Sequence, residues 1–249
     1  MAKSRQQIRQ EQRKGVKKTD SRWWIYAVIA VALVAVIGVM VYFAVKPENS
    51  YSTSTNGENT ETETAVQNES EQVVYHKEPQ VEGEHEKAVF RMENGEEFTV
   101  ELYPEYAPET VENFKKLVNE GFYNGVTFHR VVEGFMAQGG DPEGTGMGGS
   151  SETVKGEFTS NGFEKNLLSH QKGIISMARS NDPNSASSQF FICYDDASFL
   201  DGNYAAFGKV VSGMETVENF LKVEREMNEM GEEAIPKTPI VIKTATMVK

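Results

Sequence analysis

Residues 123–142 read Y-N-G-V-T-F-H-R-V-V-E-G-F-M-A-Q-G-G-D-P. Tyr123-Asn124-Gly125 is a turn signal, and the apolar, β-branched run 126–132 has strand character. Glu133-Gly134 breaks that run, and a second short one, 135–138, ends at Gly139-Gly140. The pattern predicts two strands meeting at a turn. Within it Arg130, a permanently charged planar fork of five donors, lies a few residues from Phe135, Met136 and Gln138. Taken alone, an Arg in a strand most often points to water.

The string Phe128-His129-Arg130-Val131-Val132, followed by Gly134-Phe135-Met136-x-Gln138-Gly139-Gly140-Asp141, resembles the signature of the cyclophilins, peptidyl-prolyl isomerases with a β-barrel fold. Three further blocks continue the likeness in the family's order: Ile175-Ser176-Met177-Ala178, Ser188-Gln189-Phe190-Phe191-Ile192-Cys193, and Phe199-Leu200-Asp201-Gly202 with Phe207-Gly208-Lys209-Val210. The resemblance implies a mainly β fold, a closed eight-stranded antiparallel barrel capped by two α-helices. It implies Arg130 and Gln138 as catalytic residues, no cofactor, and proline-containing peptide as substrate. The peptide groove would be lined by His129, Phe135, Met136, Ala178, Arg179, Gln189, Phe191, Phe199, Leu200 and Tyr204. Some positions depart from the family pattern: Arg179 replaces the usual Asn, Phe199 stands where many eukaryotic members carry Trp, and Tyr204 where they carry His. The Phe199 change implies weakened cyclosporin binding, whereas Tyr204 keeps an aromatic wall with a hydrogen-bond donor.

The chemistry that such a site must perform can be argued from the barrier. Rotation about an amide costs about 18–20 kcal/mol, and X-Pro bonds isomerise over roughly tens to hundreds of seconds. No nucleophile is needed, only a site that prefers the twisted state. There the proline nitrogen becomes pyramidal and regains its lone pair, so a donor aimed at it gains more than in the planar ground state. Arg130 is the candidate donor, oriented by Gln138, with Gln189 beside it. Phe135, Met136, Phe191 and Leu200 would hold the proline ring. This reading requires the guanidinium to face those side chains and to be free of a buried ion pair. The alternative is a tethered peptide-binding chaperone or scaffold with little turnover. A hydrolase reading finds no Ser or Cys nucleophile paired in the sequence with a plausible base.

Charge is unevenly spread over the 249 residues. The net charge is −12, yet eight of the 25 basic residues lie in the first 22 positions. Residues 23–45, W-W-I-Y-A-V-I-A-V-A-L-V-A-V-I-G-V-M-V-Y-F-A-V, carry no charge; as a helix they would be about 34 Å long, enough to cross a hydrocarbon core of about 30 Å. Aromatic residues at both ends and Lys46-Pro47 fit a membrane span, and the run is too long for a typical signal-peptide core. The basic tail, 1–22, is then expected in the cytoplasm and everything after residue 45 outside, with exported proteins as the folding clients. Residues 46–83 are rich in Ser, Thr, Asn, Glu and Gln, with too little apolar surface to offset the entropy of ordering, and are expected to form a disordered tether.

The folded domain is expected over 84–249. Runs 88–92 and 98–102 flank an Asn94-Gly95 hairpin signal. A helix should follow from Pro108 to Gly121 with Val111, Phe114, Leu117 and Val118 on one stripe. Residues 141–149 match G-x-G-x-x-G formally, but no helical stripe follows, so a glycine-rich surface loop is expected rather than a nucleotide site; the basic tail could bind nucleic acid or anionic lipid, but topogenic charge is the simpler account and no nucleic-acid partner is expected. Strands at 173–178 and 189–193, a second helix at 214–222 and a closing strand at 240–247 complete the domain, with 224–236 charged and loop-like. Cys193, the only cysteine, sits in an apolar run and reads as buried and inert; the four histidines show no metal-ligand spacing.

Overall fold

The Asn94-Gly95 turn joins β1 (Lys87–Met92) to β2 (Glu97–Leu102), with Phe90 opposite Phe98 and Gly95 at φ 89°. A positive φ is costly for any residue with a Cβ, which is why glycine occupies the tip. The computed structural model describes residues 73–249. Six further strands close the barrel: β3 (Thr127–Val132), β4 (Met136–Asp141), β5 (Ile174–Met177), β6 (Phe190–Cys193), β7 (Ala206–Ser212) and β10 (Ile240–Val248). All pairings are antiparallel, in the order β1-β10-β3-β4-β6-β5-β7-β2. Closure leaves no unpaired barrel edge.

Alternation along each strand sends one set of side chains inward. Phe90, Phe98, Phe128, Phe190 and Phe207 meet there, joined by Phe114 and Tyr123, and all seven are at most 1% exposed. Phe90 and Phe98 stack at 4.8 Å. Full burial of one such ring contributes about 1.5–3 kcal/mol, so this aromatic interior dominates the barrel's stability.

Helix α1 (Pro108–Asn119) plugs the barrel with Val111, Phe114, Leu117 and Val118, as its stripe predicts. Its N-terminus is capped from elsewhere. Ala107 at the N-cap has no side-chain acceptor, and the free N–H groups of Glu109 and Thr110 donate instead to the Glu157 carboxylate at 3.0 and 2.9 Å. The Thr110 hydroxyl adds a third bond at 2.7 Å. Helix α2 (Met214–Asn219) is shorter than expected because its last turn, Phe220–Lys222, tightens to a 3-10 helix.

Two expectations are corrected. Residues 224–236 are not a loop: β8 (Arg225–Met227) pairs antiparallel with β9 (Glu233–Pro236) in a hairpin outside the barrel. Its turn is built by Asn228, whose side-chain oxygen accepts from the N–H of Met230 and Glu232, with Gly231 at φ 81°. Nor does the tether run to residue 83. His76 exchanges backbone hydrogen bonds with Leu167 and Ser169, the Tyr75 hydroxyl bonds Thr159, and Gln80 N–H donates to the Tyr106 hydroxyl. These backbone partners hold a polar segment that its composition alone could not order. The predicted basic tail, the span 23–45 and residues 46–72 of the tether lie outside the described residues. Among the described residues no helix is long and apolar enough to cross a membrane.

Replacing Glu157 by Ala strands two helix N–H donors and a buried hydroxyl. Glu157→Ala is expected to lower unfolding stability by about 1–3 kcal/mol, measured by urea denaturation, with the fold retained.

Candidate active site

On β3, Phe128 and Val131 both face the interior. Two-residue alternation forbids that spacing unless a residue is inserted. Phe128 pairs with Gly139 and Arg130 with Gln138, so His129 is the extra residue of a β-bulge. The bulge resets the phase and turns Arg130 to the outer wall. The ladder then sets Arg130 beside Gln138 on β4, Gln138 beside Phe191 on β6, and Phe191 beside Ser176 on β5.

This row borders a pocket of about 150 Å³ lined by Arg130, Phe135, Met136, Gln138, Ala178, Arg179, Phe191, Leu200 and Tyr204. Its floor is a separate apolar cluster, Met136, Phe191, Cys193 and Ala197, lying outside the barrel interior. Cys193 is fully buried beneath it, and burial pushes its thiol up to about 12, with Asp201 and Asp196 adding to the shift, so it stays a neutral packing group. A second hollow of about 400 Å³ adjoins, sharing Gln138, Ala178 and Arg179 and adding Gln189, Ser180, Ser185, Ser187 and residues 146–150. The two make one groove.

A chain of oriented polar groups runs along it. Arg130 Nη1 donates to Gln138 Oε1 at 3.3 Å, Gln138 Nε2 to Gln189 Oε1 at 2.9 Å, and Gln189 Nε2 to the carbonyls of Gly146 and Gly148. The Arg130 side chain lies 5.8 Å from the Phe135 ring centre. Tyr204 stands edge-on to Phe191 at 5.9 Å, and the Arg179 guanidinium covers its ring at 4.6 Å while donating to the carbonyls of Asn203 and Ser180.

Arg130 faces the pocket as expected, but it is not free of an ion pair. Glu232, on the β8–β9 hairpin, accepts from Arg130 Nε at 3.1 Å and from Nη2 at 2.8 and 2.9 Å. The two side chains are 23% and 30% exposed. The requirement drawn from the sequence was too strict, because a carboxylate bound side-on engages one edge of the fork and leaves Nη1 to the pocket. The Arg130 hydrogen bond holds the Glu232 carboxyl below its usual range against partial burial, with Asn228 helping.

Two other groove residues are placed differently. Phe199 lies outside the smaller pocket, 71% exposed, with its ring 5.5 Å from Phe135 as a rim. His129, as the bulged residue, lines neither hollow. Its ring lies under Gly146, and neither buried nitrogen has a hydrogen-bond partner. Burial lowers its pKa, opposed by Asp141 and reinforced by Arg130, so it is neutral at pH 7.

The glycine loop owes its shape to Asp141. The N–H groups of Glu143, Thr145, Gly146 and Gly148 all donate to its carboxylate, at 2.8, 3.0, 2.6 and 3.2 Å. Burial works against the charged form, yet these donors outweigh it and leave the pKa below the ordinary value.

A buried relay corrects the sequence reading that no Ser meets a base. Ser176 Oγ lies 2.9 Å from His170 Nε2, and His170 Nδ1 lies 2.8 Å from Asp201 Oδ1. Ser176 and His170 are fully buried, so no substrate reaches them. They brace Phe191, whose ring stacks on His170 at 5.9 Å. Among the described residues no group of His, Cys, Asp or Glu could hold a metal ion. Sequence reasoning missed Glu232 and Asp141. The Asn228-x-x-Gly231 spacing signals the hairpin turn, but nothing local announces a partner 102 positions away.

Residues 88–247 match the family model described as cyclophilin type peptidyl-prolyl cis-trans isomerase/CLD. Peptidyl-prolyl cis-trans isomerase B of Bacillus subtilis (strain 168) is 48% identical over 130 residues, 52% of this chain and 87% of that protein. A probable peptidyl-prolyl cis-trans isomerase of Brucella suis biovar 1 is 44% identical over 146 residues, 54% of this chain and 70% of its own. Among solved structures, a Cryptosporidium parvum cyclophilin type isomerase superposes with a TM-score of 0.56 at 31% identity, covering 67% of this chain and 99% of that one. The same protein in the presence of the dipeptide Ala-Pro gives 0.55 at 31% identity, over 66% and 99%.

Asp141→Ala is expected to cost about 1–2 kcal/mol, since four backbone N–H groups, from exposed or half-buried residues, lose their shared acceptor. It should also raise KM for a proline peptide by loosening the groove wall. The wild-type contribution is complete above pH about 4 and is lost as pH falls through the lowered Asp141 pKa, a trend urea titrations at pH 3 to 6 would reveal.

Proposed function

The chain belongs to the cyclophilin-type peptidyl-prolyl cis-trans isomerases, and we propose that it turns over prolyl bonds by using the Nη1 edge of Arg130 as the donor to the twisted proline nitrogen. One observation carries this: the edge of the fork not engaged by Glu232 lies beside Gln138 at a pocket of about 150 Å³ with an apolar floor. The proline ring enters over Met136 and Phe191, between Phe135, Leu200 and Tyr204. The flanking chain lies along Ala178 and the larger hollow, where residues 146–150 let backbone approach. With the ring fixed, the acyl side rotates. As the nitrogen pyramidalises, its lone pair turns toward a donor already in place, and no bond to the enzyme forms. His129, neutral and outside the pocket, takes no part in proton transfer. Phe199, lacking an indole N–H at the rim, weakens cyclosporin binding.

The clients are exported proteins met outside the membrane. What supports this is the sequence: a basic tail, an uncharged run over 23–45 and a polar tether ahead of the catalytic domain. A peptide-binding scaffold with little turnover is the competing reading, and it lacks a reason for an oriented donor at the pocket.

Arg130→Ala in the full-length chain is expected to lower kcat on a short X-Pro peptide about 100-fold with KM little changed. Wild-type turnover in that variant would favour the scaffold. In cell fractionation the chain should sediment with membranes, resist a high-salt wash and dissolve in detergent, with the catalytic domain cut by protease added outside. Recovery in the soluble fraction would remove the anchored reading.

A further inference from the structure

We propose that Glu232 is a positioning residue for isomerisation, holding the Arg130 fork from the β8–β9 hairpin so that its Nη1 edge is aimed at the substrate before substrate arrives. This rests on the reading of Arg130 as the donor. The geometry is that of a built clamp. Glu232 occupies the Nε and Nη2 edge of the fork with three contacts of 2.8 to 3.1 Å, and Gln138 takes Nη1 from the other side. Glu232 sets the guanidinium plane by its two-edged grip, and Gln138 holds the far end of the fork.

The carboxylate is itself supported. Asn228 Nδ2 donates to Glu232 Oε2 at 2.6 Å, while Asn228 Oδ1 accepts from the Glu232 N–H at 2.9 Å. One amide thus shapes the turn and aims the acid. The hairpin is fastened at its base as well. Arg225 donates to the Leu221 carbonyl at 2.7 Å and to the Glu233 carbonyl at 3.3 Å, Lys237 N–H donates to the Glu224 carbonyl at 2.8 Å, and Ala234 is fully buried. An acid on a loose loop would follow Arg130; an acid on a docked hairpin makes Arg130 follow it. The pair partly neutralises the fork, so the donor acts by placement more than by net charge. A long, rotamer-rich side chain that must be ordered at each turnover is a poorer catalyst than one ordered in advance.

The test compares variants of the full-length chain in the X-Pro peptide assay. Glu232→Ala is expected to lower kcat about 10-fold while KM stays within about 2-fold, because the pocket is intact and only donor placement is lost. Glu232→Gln keeps an oxygen facing the fork and should recover to within about 3-fold of wild type. By NMR, the Arg130 Nε–H signal should be sharp in wild type and in Glu232→Gln, and broadened by exchange in Glu232→Ala. In the Arg130→Ala background, Glu232→Ala should have no further effect, since its action passes through the fork. Wild-type or faster turnover in Glu232→Ala would overturn the proposal, as would a further loss in the double variant. Failure of the parent reading shows separately, as an Arg130→Ala variant that still turns over at the wild-type rate.

Discussion

Phe128 and Val131 are both in the barrel interior, three residues apart on one strand, and that spacing is bought by the single inserted residue His129. Without the bulge, regular alternation after Phe128 would carry Arg130 into an aromatic core, where an unpaired guanidinium cannot be accommodated. With it, the core keeps Phe128 against Phe98, Phe190 and Phe220, and the charge stands on the outer wall. A second register shift before Phe128 is absorbed on β4 by Gly140 at φ 89°, whose Cβ, if it had one, would collide with the Ser188 carbonyl. Core and site thus share one strand because its phase changes between them.

From that strand the groove is assembled by polar groups whose partners come from distant parts of the chain. Asp141, just past the second bulge, gathers four backbone N–H groups and folds the glycine loop back to Gln189. Gln189 sets Gln138, and Gln138 meets Arg130 from one side as Glu232 meets it from the other. Each member has its hydrogen bonds directed by the next, so the amide orientations are dictated by the network rather than by solvent. The apolar floor is braced separately by the buried Ser176 and His170, with the half-buried Asp201, set behind Phe191. A constellation familiar from hydrolysis is here part of the wall, and burial is what decides its role.

Much of this was legible in the sequence for identifiable reasons. Strands β1 and β2 announce themselves by Asn94-Gly95, α1 by Pro108 and its stripe, and the inert Cys193 by its apolar neighbours, because in each case the cause is local. The pocket residues Arg130, Phe135, Met136, Gln138, Ala178, Phe191, Leu200 and Tyr204 were legible through family motifs, and the ladder brings them together. Residues 224–236 misled because charge at nearly every second position reads as solvated loop, whereas a hairpin lying against the barrel needs only Ala234 buried. His129 misled because motif membership says nothing of which way a bulged residue turns.

The sequence by itself determined individual strands, the plugging helix and, through its resemblance to the family, the barrel and the presence of an Arg, an amide pair and an apolar hollow among strands β3, β4 and β6. These follow from alternation, turn chemistry and motif, all of which act over a few residues. Only the tertiary structure decided that α1 is capped by Glu157, that residues 73–83 strap onto the domain, and that Arg130 shares its fork with Glu232. Each of those joins groups tens of residues apart in the chain, where hydrogen-bond geometry is fixed by how the barrel closes and no local preference can encode it.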